Sequence, residues 1–200
     1  MTAEASDLCA AVLRKVSESA QTQAQFFGAE VERIVACARA MARAFENGAR
    51  LFVFGNGGSA CDAQHCAVEF SHPIVEKRRT LPALALGGDR ALLTAIGNDE
   101  DFALAYAREL RLYARAGDIA LGISTSGKSR NVVRAMKAAR EMRLLTIGLA
   151  GRDGGVLGAD CEHAFVVRSF STHRIQEAHG TLLHVLWDLV HVALGEEDVL

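Results

Sequence analysis

Short runs of apolar residues alternate with amphipathic stretches through most of this chain. Five runs are apolar at nearly every position, which is typical of strands that are buried on both faces of a sheet. These runs are LFVF at 51–54, PALALG at 82–87, DIALGIS at 118–124, LLTIGLAG at 144–151 and HAFVV at 163–167. Helical periodicity lies between most of them, at 59–71, 90–96, 101–115 and 129–142, and a last helix is predicted over 172–194. We therefore predict a doubly wound α/β domain with a parallel sheet of about five strands.

The first 48 residues contain no strand-like run. Apolar side chains recur there at helical spacing, for example at Leu8, Val12 and Val16 and again at Val31 and Ile34. We predict two helices that are separated near Gly28. They form a helical extension over 1–48 to an α/β core over 49–200, and 200 residues fit one domain.

Composition and charge narrow the class of protein. Half of the residues are apolar and 23% are charged, as expected for a folded globular chain. The formal net charge is −2 without a basic block, which argues against a nucleic-acid or anionic-membrane partner. No apolar run has membrane-spanning length and the N-terminus lacks a signal-peptide layout, so we expect a cytoplasmic location. The five cysteines are scattered without metal-type spacing, which indicates reduced thiols.

The stretch GISTSGKS at 122–129 matches the pattern of a nucleotide-binding P-loop. A P-loop also needs an acidic residue at the end of a second apolar strand to hold Mg²⁺, and no strand here supplies one. The stretch can still bind an anion, because several hydroxyls lie between a strand and the N-terminus of the helix at 129–142. Free backbone N–H groups and these hydroxyls make an anion cradle suited to a phosphate monoester. The cradle residues are Ser124, Thr125, Ser126 and Ser129.

Candidate polar groups for a sugar and for acid–base chemistry lie on two other segments. The loop GNGGS at 55–59 follows a strand and could hold sugar hydroxyls through Asn56, Gly57 and Gly58. Next, His65 and Glu69 share one face of the following helix, a spacing that suits either two metal ligands or an acid/base pair. The apolar neighbours of this pair suggest a largely buried helix. The last helix adds Gln176 and His184, about 80° apart around its axis, which could line one rim of a pocket.

These motifs, taken in order, resemble the sugar-isomerase (SIS) family and more narrowly its phosphoheptose isomerases. The similarity rests on FGNGGSACDAQHCAVEF, GNDEDF, GISTSGKSRNV, AGRDGG and RIQEAHGTLLHVL, and it covers about 50–194. The resemblance implies a three-layer αβα sandwich of flavodoxin-like topology. It also implies ketose–aldose isomerisation of sedoheptulose 7-phosphate through an enediol, in a homotetramer whose active sites lie at subunit interfaces.

The same resemblance implies a role for each candidate residue. The hydroxyl cradle would hold the phosphate, and Asn98 and Asp99 would join the GNGGS loop around the sugar chain. One Zn²⁺ ion per subunit would be held by His65, Glu69, Gln176 and His184. Glu69 and His184 would be the catalytic acid/base pair, and Glu69 and Gln176 would also contact the substrate.

Three alternatives stay open at this point. One is a non-catalytic regulator of the same fold that binds a sugar phosphate or a replication initiator; such regulators lack the glutamate found here at Glu69. Another is an isomerase of a different sugar phosphate, because His72, Pro73, Lys128 and His173 depart from the family pattern. The third is the NTPase, which would need ATP hydrolysis that depends on Lys128.

Overall fold

The computed structural model describes residues 3–74 and 78–198. Its sheet contains β1 (Leu51–Gly55), β2 (Ala83–Ala85), β3 (Ile119–Ser124), β4 (Leu145–Gly151) and β5 (His163–Val167). Its helices are α1 (Ala3–Glu46), α2 (Gly58–Ser71), α3 (Arg90–Asp99), α4 (Ala105–Tyr113), α5 (Arg130–Glu141), α6 (Leu157–Asp160) and α7 (Thr172–Ala193). A turn of 3₁₀-helix at Phe102–Leu104 precedes α4.

All five strands are parallel, in the order β2-β1-β3-β4-β5. The predicted fold class is confirmed, and this strand order is the flavodoxin-like one. The chain direction across the sheet reverses between β1 and β3, so the loops that follow these two strands flank a crevice. In such sheets the crevice at the carboxyl ends of the strands is where ligands bind.

The core lies on both faces of the sheet. On one face, Leu51, Val53 and Leu121 pack against α1, α2 and α7. On the other face, Phe52 and Phe54 pack against residues of α4, α5 and α6. Alternate residues of one strand thus enter opposite layers, which explains why the strands are apolar throughout. None of the helices within residues 3–74 and 78–198 is both long enough and apolar enough to span a bilayer.

The predicted break between two N-terminal helices is wrong, because α1 is one helix of 44 residues that runs through Gly28. A Cβ at Gly28 would meet no atom within 4 Å, and glycine in a helix interior costs only about 1 kcal/mol relative to alanine. Burial of Phe26, Ile34 and Met41 on either side of Gly28 offsets that cost. Glycine without a following proline is therefore a weak stop signal here.

Candidate active site

The serine-rich loop after β3 forms a compact cluster of hydroxyls. Ser124 ends the strand and is 3% exposed, with its Oγ 2.9 Å from Ser129 Oγ and 3.4 Å from Ser126 Oγ. Ser129 is the N-cap residue of α5, yet its side chain makes no capping hydrogen bond. Its hydroxyl faces the other serines instead. The loop therefore offers hydroxyls and the positive N-terminus of a 12-residue helix to an anion, as the sequence predicts.

The loop after β4 supports this serine loop from behind. Gly127 has φ +64°, and a Cβ there would clash with the carbonyl of Gly154. The Gly127 carbonyl accepts a hydrogen bond from the backbone N–H of Leu157 at 3.1 Å. Lys128 points away from the hydroxyls and forms an exposed ion pair with Asp153 at 3.0 Å. A glycine is required at 127 because the backbones of Gly127 and Gly154 are in contact, whereas Lys128 pairs with Asp153 at the exposed side of the loop.

Asn56, in the loop after β1, is held by Asn131 and Tyr106, which the sequence analysis did not single out. The side-chain amides of Asn56 and Asn131 exchange two hydrogen bonds of 2.8 Å, and the Tyr106 hydroxyl lies 3.3 Å from Asn56 Oδ1. The same hydroxyl donates to the Gly55 carbonyl. Gly57 has φ +57°, a conformation that glycine adopts without strain. In the sequence, Asn131 is one of several polar residues of the amphipathic helix α5, and only the structure shows that it is buried, at 3% exposed.

The predicted histidine–carboxylate set assembles between α2 and α7. His65 Nε2 lies 3.2 Å from Glu69 Oε1 and 3.2 Å from His184 Nε2. The helix is less buried than the sequence suggests, because Cys66 and Phe70 face the core while His65 and Val68 face outward. His184 is also exposed and is not a core histidine. The side chains of His65, Glu69 and His184 therefore form a cluster at the protein surface.

Asp62 enters the same cleft from one turn earlier on α2. Its Oδ2 atom is buried and has no hydrogen-bond partner among the described residues. Burial raises the pKa of this carboxyl, and the nearby His65 partly opposes that shift. No motif in the sequence singles out this carboxylate, because its position becomes meaningful only when α7 covers α2.

Gln176 lies apart from the other three predicted metal ligands. Its amide sits against Gly58 at the start of α2, where a Cβ would clash with Nε2. Gln176 precedes His184 by eight residues, which is about 12 Å along a helix axis. One chain thus places Gln176 beside the GNGGS loop, whereas His65 and Glu69 lie further along α2 and His184 lies further along α7.

The donor set of His65, Glu69 and His184 has the chemistry that zinc prefers, two imidazole nitrogens and a carboxylate oxygen. The two Nε2 atoms are 3.2 Å apart, close to the separation of about 3.4 Å between two nitrogens bound tetrahedrally to one zinc ion. Within residues 3–74 and 78–198, no group of three or more His, Cys, Asp or Glu side chains is arranged to hold a metal as it stands. The three side chains fit such an ion in type, and small rotations would be needed to enclose it.

Asn98 and Asp99 lie at the C-terminal end of α3 and are exposed. The Asn98 amide donates a 2.7 Å hydrogen bond to the Asp99 carboxylate. Neither side chain is hydrogen bonded to the serine loop or to the loop after β1 among the described residues. Their contact with a sugar stays a prediction.

Comparisons with known proteins show to which family the chain is similar. The family profile described as SIS domain matches residues 16–151. A phosphoheptose isomerase of Aquifex aeolicus is 43% identical over 181 residues, covering 90% of this chain and 95% of the relative. One from Pelobacter propionicus is 49% identical over 154 residues, 77% of this chain and 82% of the relative.

Solved structures of phosphoheptose isomerases are also similar to this chain. The phosphoheptose isomerase of Neisseria gonorrhoeae is 39% identical, with a TM-score of 0.85 over 92% of this chain and 98% of that one. The enzyme of Francisella tularensis is 31% identical, with a TM-score of 0.88 over 96% of this chain and all of that one.

Proposed function

The chain belongs to the SIS-domain family, among its phosphoheptose isomerases, and from this premise we propose that it converts sedoheptulose 7-phosphate into D-glycero-D-manno-heptose 7-phosphate. The observation that carries the proposal is the pairing of a hydroxyl-lined helix N-terminus with a histidine–carboxylate cluster. The first suits a phosphate monoester, and the second suits proton transfer.

The phosphate binds at the serine loop in this scheme. Ser124, Thr125, Ser126 and Ser129 contribute hydroxyls, and the first turn of α5 contributes N–H groups. The phosphate then fixes the sugar chain relative to the crevice between β1 and β3. Asn56 and the backbone of Gly57 and Gly58 line the neighbouring side of this crevice, where Gln176 also lies. Lys128 is not needed, since its ammonium is paired with Asp153.

The isomerisation moves two protons and leaves the composition of the sugar unchanged. A base removes a proton from C1 of the ketose while the C2 carbonyl oxygen gains one, which gives the enediol. Protonation at C2 and loss of the O1 proton then give the aldose. Glu69 and His184 are the proposed pair for these transfers, because Glu69 contacts His65 along α2 and His184 contacts the same side chain across the α2–α7 cleft. Either of the two residues could take the carbon proton.

We also propose that one zinc ion is held by His65, Glu69 and His184, with Gln176 as the fourth ligand that the family resemblance implies. Bound there, zinc would act as a Lewis acid that polarises the carbonyl and hydroxyl oxygens of the sugar. The support is the N, N, O donor set, in which His65 contacts both Glu69 and His184. Because Gln176 lies about two turns from His184 on α7, its joining this set would be explained most simply by a site shared between chains.

A homotetramer with shared active sites is proposed on the same basis. The N-terminal half of α1 exposes an apolar row, with Leu8 65%, Val12 60% and Val16 61% exposed. These residues are four apart and so form one stripe along the helix. Large apolar side chains in such a row suit contact with another helix better than contact with water.

The proposal is tested by incubating the purified protein with sedoheptulose 7-phosphate and following the aldose phosphate. We expect turnover, and we expect Glu69→Gln to lower kcat by about 10²- to 10⁴-fold because one acid/base group is lost. Glu141→Gln is the matched control, since Glu141 is an exposed residue at the end of α5. Near-normal turnover by Glu69→Gln would overturn the assignment.

The same experiment separates the alternatives. A non-catalytic regulator would bind the sugar phosphate without producing the aldose. That reading is not favoured, because Glu69 is present and the relatives are named as isomerases. An NTPase would hydrolyse ATP and lose that activity in Lys128→Ala.

A further inference from the structure

The C-terminal turn of α2, which carries Glu69, is fastened by groups outside the helix. The last carbonyls of a helix have no intrahelical partner and need other donors. Two groups outside α2 act here: the carbonyl of Glu69 accepts from the indole N–H of Trp187 at 2.9 Å, and that of Phe70 accepts from the backbone N–H of Leu81 at 2.8 Å. The Val68 carbonyl accepts in the ordinary helical manner from the backbone N–H of the C-cap residue His72 at 2.7 Å. The donor to Glu69 is thus a side chain on α7 and not local backbone.

Trp187 couples two helices that run in the same direction. The His65–His184 contact joins residues 119 apart in sequence, and the Glu69–Trp187 bond joins residues 118 apart. His184 and Trp187 are three residues apart on α7, so they lie on one face. The indole bond therefore fixes the register of α2 against α7 within one turn of the proposed catalytic pair.

The indole ring is itself held on its face and its edge. The Arg78 guanidinium carbon lies 4.7 Å from the ring centroid, a cation–π distance. Arg78 is buried and paired with the Asp188 carboxylate at 2.5 Å. The ring of the buried His191 packs against the edge of the indole, with the centroids 5.0 Å apart. The indole is 4% exposed, so its N–H has little freedom to choose another acceptor.

We propose that Trp187 is a positioning residue for the isomerisation, acting through its indole N–H on the Glu69 backbone. Its indole N–H bonds to the backbone carbonyl of Glu69 and not to the Glu69 carboxylate. It holds the end of α2 so that the Glu69 carboxylate stays in contact with His65 opposite His184. The inference rests on the proposed function in that Glu69 and His184 are taken as the acid/base pair.

The chain offers a sharp test because Trp187 is its single tryptophan. Replacing tryptophan throughout the full-length protein by 3-benzothienylalanine changes this one site, exchanging the N–H for sulfur while keeping the ring size. Trp187→Phe is a second variant without the donor. Fluorotryptophan, which keeps the N–H, is the control for incorporation. Val190→Ala is the control for a lost core contact on the same helix, where Val190 is fully buried.

The measurements are kcat and KM for sedoheptulose 7-phosphate with saturating zinc, and the thermal midpoint of each protein. We expect both donor-free proteins to lose about 10- to 100-fold in kcat, since small displacements of reacting groups are costly, with KM within about threefold. Fluorotryptophan protein and Val190→Ala should keep kcat within about threefold. Equal kcat for Trp187→Phe and Val190→Ala at equal loss of thermal midpoint would overturn the proposal.

A structural readout keeps this test separate from that of the proposed function. If the unaltered protein does not isomerise the sugar, the proposed function fails, and crystal structures of the unaltered and Trp187→Phe proteins decide the positioning role. Lengthening of the His65–Glu69 or His65–His184 contact by about 0.5 Å or more supports it. Unchanged contacts refute it.

Discussion

Replacement of Ser124 by alanine tests the phosphate anchor most directly. Its hydroxyl is buried, and it is the one cradle oxygen in contact with both Ser126 Oγ and Ser129 Oγ among the described residues. Alanine removes that hydroxyl without adding volume. The effect on folding should be small, because Ser129 and Ser126 keep other partners or access to solvent.

The expected loss follows from the charge of the ligand. A hydrogen bond to a charged group contributes about 1.5–3 kcal/mol, which corresponds to about 10- to 150-fold in affinity. Lys128→Ala provides the contrast. Its ammonium forms an ion pair with Asp153, and the two side chains are 61% and 64% exposed. An exposed ammonium contributes only about 0–1 kcal/mol to an ionic contact, so even a contact between Lys128 and the phosphate would make the loss of affinity about fivefold or less.

The assay is isothermal titration calorimetry with inorganic phosphate, together with KM for sedoheptulose 7-phosphate, at constant ionic strength. Both variants should keep the secondary structure and thermal midpoint of the unaltered protein within a few degrees. If Lys128→Ala weakened phosphate binding more than Ser124→Ala, the hydroxyl cradle would be the wrong anchor. That result would favour the interpretation of GISTSGKS as a P-loop in which Lys128 contacts the phosphate.

Two further predictions concern stability and assembly. Burial lowers the pKa of His179 to about 4, so this imidazole stays neutral in the folded state but gains a proton in the unfolded state below pH ~6.5. The free energy of unfolding, measured with urea, should therefore fall by about 2 kcal/mol between pH 7.5 and 5. His179→Gln, whose amide can still donate to the Ala150 carbonyl, should remove that part of the pH dependence, and an unchanged slope would contradict it. Val12→Glu on the exposed row of α1 should dissociate the proposed tetramer in light scattering, whereas Arg14→Glu should not; a monomeric unaltered protein would contradict the assembly.

The sheet could be predicted because β1, β3 and β4 are buried almost throughout and therefore read as continuous apolar runs. β5 has the predicted bounds, and the other strands differ from the prediction by only a few residues. β2 is the weakest, with three half-buried or exposed residues in place of the apolar run at 82–87. The helix break at Gly28 was mispredicted because packing of α1 against the core overrides local propensity there.

The site could be predicted where a few neighbouring residues carry the chemistry. The serine loop combines an apolar strand, hydroxyls and a helix N-terminus within a few residues, and the i, i+4 spacing of His65 and Glu69 puts both on one face of α2. Tyr106 and Asn131 hold Asn56 from elements that are distant in sequence. Asn131 directly follows the serine loop, but the contact of both side chains with Asn56 depends on β1 and β3 being neighbours in the sheet.

The parallel register of α2 and α7 also divides the site in a way that no motif reveals. α2 begins at the GNGGS loop, where Gln176 lies, and carries His65 and Glu69 two to three turns further on. At 1.5 Å per residue, His65 is about 10 Å from the start of the helix. The residues of the proposed phosphate anchor all lie in one chain, in the loop after β3 and the first turn of α5. The proton-transfer cluster instead faces outward between two helices, so a second chain could complete it without disturbing the anchor.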